Sequence, residues 1–239
     1  MESINTCAHS GLYESYATDR DGGNHAVQHF QEHDQAFAEE TGAKGRIIRG
    51  AIRLFCERGY AATSVREIVA AAGVTKPVLY YYFESKEALL HYIIKQTMDY
   101  YRAKVYAIIT DASLDAVEKL RAITRMYLEN ARRDPVLVRF VNSAIYSGMH
   151  AEVYDFTSNQ KEIHRWLTAM FRQGQEEGLF RKDVASPAMA GHFLAMVNMT
   201  VGVSMHESLR LKNIPFEENL LKILLDGTRT EAAREEVVS

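Results

Sequence analysis

From Lys44 onward the apolar positions of this chain repeat with a helical period. Ile47/Ile48, Ala51/Ile52 and Leu54/Phe55 recur at i, i+4 and i+7, the spacing of one buried helix face. Gly59 ends this helix at a position that tolerates positive φ. Thr63 and Ser64 offer caps to a second helix, and Ser64 with Glu67 three residues on forms a capping box ahead of the stripe Val65, Ile68, Val69 and Ala72. After Gly73-Val74, Thr75 caps a third short helix with Pro77 near its first turn. Ser85 caps a longer fourth helix whose stripe is Leu89, Leu90, Ile93, Ile94, Met98, Tyr101 and Val105.

The remaining pattern is helical throughout. Helices are expected over about 114–133, stopped by Asp134-Pro135, then 135–147 and 153–177, the last ended by Gly178. Ser186-Pro187 opens another over 186–212, Pro215 closes it, and a final helix covers 216–230. No segment alternates with a period of two, and no internal repeat occurs. The predicted fold class is all-α: an N-terminal three-helix helix-turn-helix domain plus a larger C-terminal helical domain. The expected divisions are 1–43, 44–90 and 91–239.

Charge sharpens this division. The net charge of −3 argues against a uniformly basic nucleic-acid binder. Residues 1–43 carry eight acidic groups and only Arg20 as a base, whereas residues 44–104 carry eleven basic groups against five acidic. The basic segment marks one functional region. The acidic extension reads as largely disordered, with a short helix near 25–40, and either as a brake on non-specific nucleic-acid binding or as an inert tail. His25, His29 and His33 share a helical spacing there, but no closing ligand completes a metal geometry, so a solvated face is expected.

The stretch Ile47 to Leu90 reads IIRGAIRLFCERGYAATSVREIVAAAGVTKPVLYYYFESKEALL. It resembles the DNA-binding domain of the TetR/AcrR family of regulators. The resemblance rests on Phe55 and Gly59-Tyr60, on Thr63-Ser64-Val65 leading to Ile68-Val69 and Ala72-Gly73-Val74, and on Leu79-Tyr80-Tyr81-Tyr82-Phe83 followed by Ser85-Lys86-Glu87-Ala88-Leu89. Cys56 stands where the family often has Ala, and Tyr82 where it often has His. The resemblance implies contacts with operator double-stranded DNA at Thr63, Arg66, Lys76, Pro77, Tyr80, Tyr81 and Lys86. It also implies a homodimer, whose interface the family builds from its last two helices.

The residues support that role. Leu79 and Phe83 lie at i, i+4 and are expected in the core, leaving Thr75, Lys76, Val78, Tyr81 and Tyr82 outward. Lys76 can donate to guanine O6/N7, Val78 or Pro77 can meet a thymine methyl, and the phenols of Tyr80, Tyr81 and Tyr82 suit phosphate oxygens. Three consecutive tyrosines cannot all be buried on one helix. Lys86, Thr63 and Ser64 stand at helix starts that favour anions, Arg66 is placed to reach the groove, and Arg46 is a candidate backbone contact.

The C-terminal region reads as a binding box. Met98, Tyr101, Met126, Tyr127, Phe140, Tyr146, Trp166, Met170, Asn198 and Met199 are candidate ligand-binding residues, an adaptable apolar lining with few polar handles. Any one of them alone is more often plain core; together they suit a cavity. No catalytic residue, metal site or cofactor is expected: hydrolase, phosphate-loop and dinucleotide motifs are missing. Cys7 and Cys56 make no disulfide framework. Without a signal peptide or an apolar run of membrane length, the expected location is the cytoplasm, with no membrane partner. The sequence thus points to a repressor released by a small apolar or aromatic effector. The alternatives are a ligand-independent DNA-binding adaptor or architectural protein and, behind it, an enzyme.

Overall fold

The computed structural model describes residues 35–37, 39–146, 156–205 and 216–228. These contain nine α-helices: α1 Gly42–Arg58, α2 Val65–Ala72, α3 Lys76–Tyr82, α4 Lys86–Thr110, α5 Ala116–Arg133, α6 Pro135–Tyr146, α7 Phe156–Glu176, α8 Ser186–Met205 and α9 Phe216–Thr228. No strand occurs among the described residues. The histidine trio, most of the acidic extension and the expected helix ends at 147, 153–155, 206–212 and 229–230 lie outside them. The chain forms two compact units, one holding residues to Tyr100 and Arg133–Phe156, the other Tyr101–Arg132 and Thr157 onward.

In the first unit α1 packs on α2, α3 and α6. Ile47, Ile48, Ala51, Ile52, Leu54 and Phe55 are buried, as are Ile68, Val69 and Ala72 of α2. Gly73 ends α2 in the left-handed region, with φ 60 and ψ 42, where a side chain would be strained. Val74 N then donates to Val69 O at 3.0 Å, closing the helix end and setting the turn into α3.

Two boundaries differ from the sequence reading. Residues 35–37 form a 3-10 turn with Phe37 buried, and Lys44 Nζ donates to Glu40 at 2.7 Å and to Tyr92 Oη at 2.8 Å. Phe37 and Glu40 therefore pack with the first unit although they precede residue 44. The second difference is α6, which packs on α1 of the first unit: its apolar stripe specifies burial but not against which partner.

The second unit buries Val105, Val117, Leu120, Ile123, Ile163, Leu167, Phe171, Phe180, Phe193 and Val197 in one core, closed by Leu220, Leu221, Leu224 and Leu225 of α9. Within it α8 and α9 pack together.

Candidate nucleic-acid interface

α2 and α3 form the helix-turn-helix. Ser64 caps α2: its Oγ accepts from Glu67 N at 3.3 Å, while Glu67 Oε2 accepts from Ser64 N at 2.8 Å. Glu67 also pairs with Arg58 at 2.8 Å. The Ser64 amide and hydroxyl bonds, with Arg58 adding to them, hold the Glu67 carboxyl below the ordinary carboxylate range.

α3 is pinned by Leu79, fully buried, and by Phe83 just beyond its end. That leaves Tyr80, Tyr81 and Tyr82 on the surface, with 49%, 83% and 39% exposure. Thr75, Lys76 and Pro77 are exposed beside them and Val78 is half-buried. Tyr81 and Tyr82 meet edge to face with centroids 5.0 Å apart. A surface of one lysine, one proline and three phenols has the donors and flat apolar area that a groove-reading helix needs.

Not every expected contact residue faces outward. Thr63 is 1% exposed, and its hydroxyl donates to Gly59 O at 2.8 Å. Lys86 Nζ donates to the carbonyls of Tyr60 and Thr63, both at 2.8 Å. Arg46 is exposed but its Nε donates to Ala72 O at 3.0 Å, at the end of α2. Arg66 and Ser64 stay exposed.

The candidate ligand residues divide in the same way. In the second unit Tyr101 and Tyr127 stack with centroids 5.3 Å apart and planes 4° from parallel, and Trp166 lies 5.0 Å from Tyr106. Burial pushes the Tyr127 phenol up to about 12. Met126 and Trp166 pack on the core to which Met170 belongs, and Asn198 is half-buried on α8. Phe140 and Met98 belong instead to the first unit, and Tyr146 ends α6 with its side chain outside the described residues. Met199 is 69% exposed on α8, so it faces away from this core. Sequence reasoning overlooked Tyr106, Tyr92 and Glu40. Tyr92 follows the apolar pair Leu89-Leu90, the one signal that could have placed it near the core edge.

Among the described residues no group of His, Cys, Asp or Glu could hold a metal ion, and no helix is long and apolar enough to cross a membrane.

Comparison with known proteins agrees with this geometry. Residues 47–93 match the family model described as bacterial regulatory proteins, tetR family, and residues 113–202 match a tetracyclin repressor-like C-terminal domain. The HTH-type transcriptional repressor KstR2 of Mycobacterium tuberculosis is 26% identical over 153 residues, covering 63% of this chain and 76% of its own. The HTH-type transcriptional regulator RutR of Escherichia coli is 26% identical over 196 residues, covering 78% of this chain and 90% of its own. The fatty acid degradation regulator FadR from Bacillus halodurans shares the fold with a TM-score of 0.66 at 21% identity, over 78% of this chain and 96% of that one. The chain belongs to the TetR family of transcriptional regulators, DNA-binding proteins rather than enzymes.

Proposed function

We propose that this regulator is a repressor that binds a pseudo-palindromic operator as a homodimer and leaves it when a small apolar ligand enters the second unit. The observation that carries the reading is α3: a short helix anchored by Leu79 that turns Lys76, Pro77 and three tyrosines outward. One such helix contacts too few base pairs for specificity, so two must act together. Thr75, Lys76, Pro77 and Val78 read bases, while Tyr80, Tyr81 and Tyr82, with Ser64 and Arg66, meet the phosphates.

α8 supports the dimer. From Ser186 to Met205 it carries no Asp, Glu, Lys or Arg, and a helix apolar on all sides needs cover on all sides. Met199, and Ile223 of α9 at 66% exposure, are the side chains a second copy would bury. The ligand reading draws on the stacked Tyr101–Tyr127 pair and on similar structures named as a fatty acid degradation regulator, a ketosteroid transcriptional regulator and a gamma-butyrolactone receptor. These names share an apolar frame bearing a carbonyl, a group to which the Tyr127 hydroxyl can donate.

Selection of bound duplexes from a random pool tests the reading. It should return an inverted repeat with half-site centres about one turn, 34–36 Å, apart. Lys76→Ala should relax preference at one base position, costing about 1–3 kcal/mol there. A selected site without symmetry would sink the dimer.

A further inference from the structure

Lys86 opens α4, where the helix dipole disfavours a cation. Its ammonium nevertheless sits close against protein. It donates to Tyr60 O and Thr63 O, each at 2.8 Å, and lies 4.1 Å from the centre of the Tyr60 ring. Burial draws its pKa below the ordinary lysine value. An ammonium has three donors and no acceptor. Two are taken by carbonyls, and the ring face attracts the charge from another side. A lysine awaiting a phosphate would instead keep its hydration and a free stem.

Both carbonyls belong to the loop between α1 and α2. Thr63 immediately precedes Ser64, the cap of α2. Its own hydroxyl points to the other side of the loop, donating to Gly59 O at 2.8 Å and Leu54 O at 3.3 Å. The loop is thus stitched to the end of α1 by Thr63 and to the start of α4 by Lys86. A matching link holds the opposite end of α1, where Lys44 Nζ lies 2.8 Å from Tyr92 Oη and 4.3 Å from the centre of that ring. Two lysines, each over a tyrosine ring, therefore tie α4 to the two ends of α1.

From this geometry we infer that Lys86 is a positioning residue for DNA binding: it fixes the Tyr60–Thr63 loop, and through it the cap of α2, and does not contact a phosphate. The start of α4 then carries the helix-turn-helix with it, because the loop that opens α2 is held by the first residue of α4. The inference rests on the proposed function only in taking DNA affinity as its readout.

The test compares full-length wild type with Lys86→Met, which keeps the stem but loses donors and charge, and with Tyr60→Leu, which removes the ring but leaves the lysine charge. The probe is the duplex that wild type selects from a random pool. Measurable wild-type binding with a salt slope checks the proposed function independently of either variant. Lys86→Met should bind about tenfold more weakly, the worth of one charge-assisted hydrogen bond, and Tyr60→Leu about threefold more weakly, the worth of one partly exposed cation–π contact. Both should keep the wild-type slope of log K against log salt. In both, the Thr63 amide, which donates to Tyr60 O at 3.3 Å, should exchange its hydrogen faster. Lys86→Arg, able to reach both carbonyls, should recover most of the affinity. The inference is overturned if Lys86→Met reduces the slope by about 1.8, two phosphate contacts per dimer at about 0.9 each, while Tyr60→Leu binds as wild type. Unchanged affinity in both variants overturns it as well. If Lys86→Met does not fold, Tyr60→Leu decides alone: weaker binding at an unchanged slope supports the link, and wild-type binding removes it.

Discussion

Phe140 stacks on Phe55 with ring centroids 5.9 Å apart and planes 24° from parallel. Beside this pair Cys56 Sγ lies 3.1 Å from the carbonyl of Val136, 80 positions further along the chain. α6 therefore completes the core of the DNA-binding unit. Removing a buried phenyl ring typically costs about 3–5 kcal/mol, so Phe140→Ala should unfold that unit at clearly lower urea. Helical circular dichroism through a urea titration reads this directly. A midpoint equal to wild type would show that the ring contributes little to this core.

The capping box makes the same unit sensitive to acid. The Ser64 amide and hydroxyl, with Arg58, lower the Glu67 pKa in the folded protein. A carboxyl whose folded pKa lies below its unfolded value of about 4.3 stabilises the fold above that pH, and the contribution is lost as pH falls through the folded pKa. Wild type should therefore lose stability on acidification more steeply than Glu67→Gln, and the two curves should converge in strong acid. Parallel curves across that range would mean that Glu67 does not titrate in this way.

Gly174 of α7 has Phe180 pressed against it. A Cβ built there would lie 2.4 Å from Phe180 Cδ2 and 2.6 Å from Cε2. Leu179 N and Phe180 N both donate to Gly174 O, at 2.8 and 3.1 Å, so the ring cannot retreat without losing these bonds. Gly174→Ala should destabilise the second unit by about 1–3 kcal/mol, the usual cost of overpacking. Gly174→Ala combined with Phe180→Leu should recover part of the loss, and calorimetry on wild type and the two variants measures both. A single variant as stable as wild type would show that the helix end yields freely.

What the sequence disclosed and what it hid follow from the kind of signal involved. The stripes of α1 and α2, the Ser64–Glu67 box and the outward tyrosines of α3 were legible because each depends on neighbours within a few positions. The pairing of α6 with α1 depends on contacts across 80 positions, and a stripe carries no address. Thr63 and Lys86 look like surface polar residues in a sequence. Their partners are backbone carbonyls, which every residue supplies and no pattern marks. Met199 reads as pocket because methionine suits a pocket, a core and a surface alike, and only its exposure shows that it faces away from the core.

The ligand reading leads to a measurement on the sole tryptophan. Trp166 lies 5.0 Å from Tyr106 in the unit that holds the Tyr101–Tyr127 stack, so a molecule entering that core should change its emission. To move the protein from 99% operator-competent to 1%, the ligand must favour the released form by about 5.5 kcal/mol. At about 25 cal/mol per Å², roughly 220 Å² of extra apolar burial would supply this, within reach of a fatty acid or a sterol ketone. On the proposed ligand reading, a panel of apolar carbonyl compounds should contain one that shifts Trp166 emission and weakens operator binding over one concentration range. Tyr127→Phe removes a hydroxyl whose pKa burial raises to about 12. It should weaken that compound about tenfold, as losing one hydrogen bond to a buried carbonyl does, and leave a hydrocarbon of the same shape unaffected. Saturation of the Trp166 signal with no change in operator affinity would separate binding from regulation and leave the protein a ligand-independent DNA-binding regulator.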